Sequence, residues 1–304
     1  MGFLHGGFCA IGSASGALLV FDLADDTSDA KPLVCHLKDA HKGFPIHVLC
    51  EADGLQPAGA PAPALLSCGK DGVVKGWLWD AASRTLSPMG NLHDELALDA
   101  ALPSIRGAGG GARLRAMDYS STHGLLVGSN ASELLLVRRD AAECRVLVHG
   151  HAQRVVAPPA GDAPTGGAAG RHAEDADETA QLGALRCLAV PLHRALCVSA
   201  GDDATLRLWG LRDRMLLAAR GCASAVTALG FDATTEASTR LAIGYEDGGW
   251  EVLPLELPLG GAELPAPDCL AVAPLHLEPA GGESAAQRRI TDVRFAPNGR
   301  SDCF

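Results

Sequence analysis

The feature of this sequence that most constrains its fold is a pattern that recurs five times: an apolar run, a short turn of small or polar residues, and a second apolar run. Self-similarity of this kind along a chain indicates a repeated structural unit. The copies occupy residues 8–22, 64–80, 124–138, 195–211 and 240–254. They are spaced 44 to 72 residues apart when aligned on one equivalent turn position, which is occupied by Gly16, Gly72, Ser132, Ala204 and Gly248.

Each copy predicts a β-hairpin, because two apolar, strand-like runs bracket a turn of Gly, Asp, Asn or Ser. A further apolar run precedes four of the hairpins, and a last one, residues 290–296, follows the fifth. Strand, turn, strand, turn, strand describes a propeller blade, whose typical length is about 40–45 residues. The sequence therefore predicts an all-β fold over residues 1–304, a WD40-type β-propeller with about five recognisable blades.

The blades exceed the typical length because the sequence carries insertions. Two long ones, residues 157–181 and 255–287, are rich in Pro, Gly and Ala, and the first contains an acidic run at 174–178. Such low-complexity stretches bury too little apolar surface to offset the entropy lost on ordering. We therefore predict that both are loops between strands or blades.

The two ends of the repeat pattern allow two kinds of ring. No strand is predicted before the first hairpin, and no hairpin follows the run 290–296. If this last strand completed the first blade, a closed five-bladed ring would result, with its open sheet edges removed. The alternative, which we favour, is that the strand opens another blade, so that the chain forms an incomplete ring or part of a tandem propeller.

The blade that contains the hairpin 195–211 has residues typical of a buried polar network. In WD repeats a Trp indole N–H, a Ser hydroxyl, a His ring and an Asp carboxylate form one hydrogen-bonded chain. Such a network stabilises the fold only if every member has a partner. The four residues here are His151, Ser199, Asp203 and Trp209.

A second set of the same four residue types accompanies the hairpin 64–80: His41, Ser67, Asp71 and Trp77. Trp79 follows two residues later, so the sequence leaves open which Trp joins the network. The other three blades lack a full set, with Phe21, Val137 and Val252 at or near the Trp position. We predict two structural networks and three blades that are held by burial alone.

Several segments resemble the echinoderm microtubule-associated protein-like family, whose members carry two joined propellers with atypical blades. They occur in the family's order, and residues 292–299, Asp-Val-Arg-Phe-Ala-Pro-Asn-Gly, are similar to its DVRYSPDG strand. The resemblance implies a non-catalytic scaffold for protein–protein interaction, associated with microtubules and the cytoskeleton. The family's N-terminal coiled coil and basic region have no counterpart in the 304 residues. The similar segments are 38–49 with 67–72, 113–117 with 124–130 and 149–151, 226–231 with 241–250, and 290–299.

The formal net charge of −11 guides what we expect of partners. Neutralisation of phosphates requires clustered Lys and Arg, and no such run is visible in the sequence. We therefore expect protein partners, with tubulin implied by the resemblance, and neither nucleic acid nor a membrane. Tyr245, at a turn, is a better candidate for a partner contact than Trp250. The alternative function is that of a WD-repeat adaptor in a ubiquitin ligase or ciliary assembly.

The sequence gives no positive indication of an enzyme, a cofactor or a metal site. The ten cysteines show no C-x-x-C spacing, and most lie in apolar runs, as expected of reduced thiols in the cytoplasm. The Gly-rich turn 12–16 lacks the Lys of a phosphate loop, and His149 with His151 lacks a third ligand. Asp202 and Asp203 suit a hairpin turn better than acid–base catalysis. A hydrolase, the third hypothesis, would need carboxylates or histidines at the central channel.

Overall fold

All regular structure in the described part of the chain is β-strand. The computed structural model describes residues 1–24, 31–52, 62–90, 114–120, 123–130, 132–137, 144–149, 184–191, 194–232, 239–257, 265–266, 268–278 and 289–295. Twenty strands within these ranges form five four-stranded antiparallel sheets, each built from four consecutive strands. This is the arrangement of a β-propeller with five blades, and the predicted fold class is confirmed.

The five blades follow one another along the chain, and in each the first strand pairs with the second, the second with the third, and the third with the fourth. Blade 1 contains β1 (Gly2–Leu4), β2 (Phe8–Gly12), β3 (Leu18–Asp22) and β4 (Leu33–Leu37). Blade 2 contains β5 (Ile46–Glu51), β6 (Leu65–Gly69), β7 (Val74–Asp80) and β8 (Thr85–Pro88). Blade 3 contains β9 (Leu114–Ser120), β10 (Gly124–Ser129), β11 (Glu133–Val137) and β12 (Cys144–His149).

The last two blades are built in the same way. Blade 4 contains β13 (Leu185–Ala189), β14 (Leu196–Gly201), β15 (Thr205–Gly210) and β16 (Met215–Gly221). Blade 5 contains β17 (Val226–Phe231), β18 (Thr239–Tyr245), β19 (Trp250–Leu255) and β20 (His276–Glu278). The first strands of neighbouring blades pack against one another around the axis, as β5 does with β9, β9 with β13, and β13 with β17.

The turn between the second and third strands has the same geometry in all five blades. One residue of each turn has a positive φ and donates its N–H to the carbonyl three residues before it. This is the three-residue hairpin in which a type I turn is followed by a left-handed residue. The residues are those that the sequence aligns as equivalent: Gly16, Gly72, Ser132, Ala204 and Gly248.

The interior of the molecule lies between blades, and one apolar cluster fills each interface. Blades 1 and 2 share a cluster that includes Leu18 and Leu65, and blades 2 and 3 share one that includes Leu66 and Met117. Separate clusters lie between blades 3 and 4 and between blades 4 and 5. A fifth cluster covers the other face of blade 5, and its partner is the segment 290–295.

The segment 290–295 takes the place that the first strand of a following blade would occupy. Ile290 packs on Gly244 of β18, as Ile46 of blade 2 packs on Gly12 of blade 1. The backbone repeats the relation, because Ile290 N–H donates to Tyr245 O at 3.2 Å and Ile46 N–H donates to Ser13 O at 3.1 Å. The segment therefore does not complete blade 1, and the alternative in which it does is wrong.

Two further features differ from the sequence-based expectation. The first hairpin does have a strand before it, because β1 pairs with β2 through the register Gly2↔Ala10 to Leu4↔Phe8. Three residues give too short an apolar pattern to be recognised. β20 lies inside the range 255–287, which was predicted to be a loop, and pairs with β19. The predicted loop 157–181 lies outside the described residues.

The described residues include no helix that is long and apolar enough to cross a membrane.

The packing of 290–295 on blade 5 leads to a prediction about Gly230. A Cβ atom at Gly230 would overlap the carbonyl group of Val293, so we expect Gly230→Ala to displace the segment and cost about 1–3 kcal/mol. Gly221→Ala is the matched control, because a Cβ there meets nothing within 4 Å. Hydrogen exchange measured by mass spectrometry should rise at 289–295 in the first variant only. Unchanged protection in Gly230→Ala would contradict this packing.

Candidate functional site

A continuous chain of hydrogen bonds crosses blade 2 and ends in the loop before β5. Trp77 Nε1 donates to Ser67 Oγ at 2.7 Å, and Ser67 Oγ lies 2.7 Å from His41 Nε2. His41 Nδ1 lies 2.9 Å from both carboxylate oxygens of Asp71. Because an indole N–H can only donate, Ser67 accepts from Trp77 and donates to His41, whose other nitrogen donates to Asp71. The structure thus brings all four residues of this set together.

The choice between the two Trp residues of β7 follows from their positions along the strand and from the partners of their indole N–H groups. Both side chains face blade 1, as the two-residue period of a strand requires. Trp77 is buried at mid-strand and reaches Ser67. Trp79 lies near the strand end, where its ring packs edge-on against Phe8 at 5.0 Å and its indole donates to His5 O at 3.2 Å. Trp77 is therefore the network residue, and Trp79 is an inter-blade contact.

The carboxylate of Asp71 sets the charge of this network. Burial raises its pKa, but the hydrogen bond from His41, the Val73 N–H at 3.2 Å and the charge of Lys75 together lower it below its ordinary value. An ionised Asp71 fixes the tautomer of His41 by accepting from Nδ1. The loop that carries His41 is therefore held to the blade by a charged acceptor.

Blade 4 contains part of the second predicted set within the described residues. Trp209 Nε1 donates to Ser199 Oγ at 2.7 Å, the same distance as in blade 2. Asp203 accepts from the Thr205 N–H at 3.1 Å, from the Thr205 hydroxyl at 2.8 Å and from Arg207 Nη2 at 2.8 Å. His151, the predicted fourth member, lies outside the described residues.

Blades 3 and 5 contain buried carboxylates that sequence reasoning missed. In blade 3, Ser129 Oγ donates to Glu133 Oε2 at 3.2 Å. In blade 5, the Tyr245 hydroxyl donates to Glu251, and Arg220 of blade 4 lies 3.2 Å from the same carboxylate. Tyr245 is thus buried between blades, and its interpretation as a partner contact is wrong. A single Glu inside an apolar strand run was the signal available in both cases.

Two half-buried charged residues, Asp118 and Arg294, lie where the first strands meet around the axis. Asp118 of β9 accepts from the Val190 N–H at 2.7 Å and the Tyr119 N–H at 2.9 Å. Burial raises the pKa of Asp118, and the charge of Arg294 and these hydrogen bonds offset that effect only in part. Arg294 Nη2 also donates to Leu49 O at 3.1 Å. Arg294 therefore connects the segment 290–295 to blade 2, and Asp118 connects blade 3 to blade 4.

The residues considered for chemistry have structural partners instead. The segment 12–16 forms the hairpin turn of blade 1. Asp202 pairs with Arg186, and Asp203 accepts hydrogen bonds within its own hairpin. Within the described ranges, no group of three or more His, Cys, Asp or Glu side chains could hold a metal ion.

The exposed candidate for binding lies at the junction of blades 1 and 2. We name it the blade 1–2 surface: the loop 38–45, the turn 70–75, and the groove between β4 and β8. Phe44 is 47% exposed in this loop. The groove is a cavity of about 400 Å³ whose walls include Leu37, Trp77, Pro88 and Met89, and Lys38, Asp39 and Lys75 also line it. The blade 1–2 surface therefore combines apolar walls, an exposed aromatic ring and more positive than negative charge.

Comparison with known proteins identifies the fold. No protein-family model matches the chain, and no curated protein does. Among solved structures, the RRP9 WD40 repeats match with a TM-score of 0.55 and 14% identity over 98% of this chain and 69% of that chain. U3-55K matches with 0.55 and 15% over 98% and 70%. A chain of the mitotic checkpoint complex matches with 0.52 and 13% over 97% and 67%.

The chain is therefore a β-propeller of the WD40 type, and it spans about two thirds of the length of these structures. Identities of 13 to 15% relate the folds alone. They provide no support for the echinoderm microtubule-associated protein-like family in particular.

The buried network of blade 2 leads to a prediction about stability. Trp77→Phe keeps the ring in the core but removes the N–H that Ser67 accepts, so we expect a loss of about 1 kcal/mol in the free energy of unfolding. Trp79→Phe is the matched control, because its hydrogen bond to His5 is exposed and should contribute less. Urea unfolding followed by circular dichroism measures both. An equal or larger loss in Trp79→Phe would contradict the role of Trp77.

The lowered pKa of Asp71 leads to a prediction about pH. A carboxyl whose pKa is lower in the folded state contributes stability above its unfolded value of about 3.9, and loses it as the pH falls through the folded value. Between about pH 5 and pH 3, wild type should therefore lose more free energy of unfolding than Asp71→Asn, which cannot titrate. Urea unfolding across this range measures the difference, and parallel pH profiles would count against the argument.

Proposed function

We propose that this chain is a non-catalytic WD-repeat scaffold that binds protein partners through exposed blade surfaces. The observation that carries the proposal is the blade 1–2 surface, where the loop 38–45 both lines an apolar groove and exposes Phe44. Apolar and aromatic groups that gather in one concave place on the surface are typical of binding sites. The proposed location is the cytoplasm.

The specific partner that we propose is tubulin, with the cytoskeleton as the site of action. Support comes from the resemblance of residues 38–49 and 292–299 to a microtubule-associated family. The segment 38–49 contains the whole loop 38–45 of the blade 1–2 surface. Tubulin surfaces are acidic, so a net charge of −11 opposes long-range attraction, and any association depends on a local surface of the opposite sign.

The lysines of the blade 1–2 surface change one expectation about partners. Nucleic acid was excluded because no run of Lys and Arg is visible in the sequence. The fold brings Lys38 and Lys75 to the same groove although they are far apart in the chain. The exclusion of nucleic acid therefore loses its support, and competition with an oligonucleotide has to be measured directly.

Co-sedimentation with taxol-stabilised microtubules at physiological salt tests the proposed partner. We expect the protein to pellet with microtubules and the pelleted fraction to rise to saturation with tubulin concentration. The same protein centrifuged alone is the control, because exposed blade edges favour aggregation. A protein that stays in the supernatant at all tubulin concentrations would overturn the microtubule proposal. An affinity purification that recovers ubiquitin-ligase or ciliary subunits would favour the adaptor function.

A further inference from the structure

The lysines of this chain are confined to a short part of the sequence. All five lie between residues 31 and 75, whereas the rest of the chain uses arginine as its cation. Four of them, Lys38, Lys42, Lys70 and Lys75, belong to the loop before β5 or to the turn and strand that follow β6. Only Asp39 and Asp71 oppose them in these two segments. The blade 1–2 surface is therefore positive on a chain whose net charge is −11.

The buried network of blade 2 fixes the loop that presents this charge. His41 is fully buried, and its N–H donates to Gly16 O at 2.9 Å while its ring contacts Ser67 and Asp71. Phe44 N–H then donates to His41 O at 2.8 Å. Lys42 and Phe44 flank this anchor and are exposed. The loop is thus a constrained structure that holds a cation and an aromatic ring outward.

The turn 70–75 adds positive charge next to the loop 38–45. Lys70 N–H donates to Pro45 O at 2.8 Å, which ties the hairpin turn of blade 2 to the loop. Lys75 donates to Ala40 O and also borders the groove. Lys38 of the loop and Lys75 of blade 2 therefore border an apolar opening, where Asp39 is the one opposing charge among the lining residues. Trp77, the first residue of the buried network, forms part of its wall.

We propose that the blade 1–2 surface binds an acidic peptide, which inserts one large apolar side chain into the groove and places its carboxylates against the lysines. Charge complementarity supports the acidic part of this peptide, and the groove's volume of about 400 Å³ with its apolar walls supports the inserted side chain. The inference rests on the proposed scaffold function and names the chemistry of its partner.

The observations favour a peptide over a nucleic acid. Four lysines form a small patch, and a longer polyanion would extend over the acidic remainder of the chain. Most of the groove lining is also apolar, which suits an apolar side chain better than a phosphate. An apolar side chain that is flanked by carboxylates matches both parts of the surface.

Fluorescence anisotropy with a fluorescein-labelled, glutamate-rich peptide that carries a central Leu-Phe pair tests the proposal. We expect saturable binding that weakens as salt rises, because the attraction is between exposed charges. The same peptide with glutamine in place of glutamate should bind at least about tenfold more weakly, and so should one with serine in place of Leu-Phe. Equal affinity for the glutamine peptide would overturn the proposal.

Charge reversal locates the site. Lys38→Glu with Lys42→Glu should weaken binding at least about tenfold. Arg212→Glu with Arg214→Glu is the matched control, because it changes the net charge equally at two exposed cations of blade 4. The match extends to the backbone, since Lys42 and Arg214 have φ values of 50° and 56°. An equal loss in both double variants would overturn the proposal, because it would reflect net charge alone.

A single change in the groove tests the apolar part independently of the lysines. Met89→Asn, which is polar but uncharged, should weaken binding of the Leu-Phe peptide at least about tenfold and leave that of the serine peptide unchanged, whereas Met89→Leu should bind both as wild type does. Circular dichroism melting shows whether each variant is folded. If a variant is unfolded, the comparison of the three peptides on the wild-type protein still tests the proposal. Unchanged affinity for the Leu-Phe peptide in a folded Met89→Asn would overturn insertion into the groove.

Two other occupants are outcomes of the same experiment. An oligothymidylate that displaces the peptide and binds more tightly would assign the surface to nucleic acid. A dimer in sedimentation velocity that the Lys38 and Lys42 reversal dissociates would assign it to a second copy of this chain. Either result overturns the proposal. If the protein binds the peptide but does not pellet with microtubules, only the tubulin proposal is overturned. If it pellets with microtubules but does not bind the peptide, only the acidic-peptide proposal is overturned.

Discussion

The packing of each sheet against the next blade is the interaction on which the rest of this structure depends. β6 and β10 are buried at every position, which a single sheet cannot achieve, because its two faces need two partners. Each interface accordingly has its own apolar cluster, and glycines such as Gly12 and Gly128 let a side chain of the next blade approach closely. The same requirement explains why the segment 290–295 lies on blade 5. It covers a face that would otherwise be exposed to water.

Burial on both faces also requires that every polar group between the blades finds a partner. Blade 2 meets this requirement with His41, Ser67, Asp71 and Trp77, whereas blade 5 meets it with Tyr245, Glu251 and an arginine from blade 4. Blades with different residues at these positions are therefore equivalent in architecture. They differ in what the polar network anchors. Among the described residues, the network of blade 2 is the one that anchors the loop bordering the exposed groove.

The sequence predicted the strands that are buried on both faces, because continuous apolar runs around a turn leave few alternatives. It missed the outer strands β4, β8 and β16, whose exposed positions interrupt the pattern, and the outer strand β12. It also missed β1 and β20, which have three residues each. Spacing was sufficient to select His41, Ser67 and Asp71 of the blade 2 network. It could not choose between Trp77 and Trp79, which share one face of β7, nor find Glu251, whose partner Arg220 comes from another blade.

The lysines show where composition is a poor guide to binding. The net charge describes the attraction that a distant partner meets, but salt screens charges beyond roughly 8–10 Å. A partner in contact with the groove therefore meets Lys38 and Lys75, and not the acidic residues of blades 3 to 5. Lys38 precedes β5 and Lys75 follows β6 in the chain, so a search for runs of basic residues does not find that they lie close together. The hairpin and the loop that bring them together are fixed by His41, so the local charge is a consequence of the buried network.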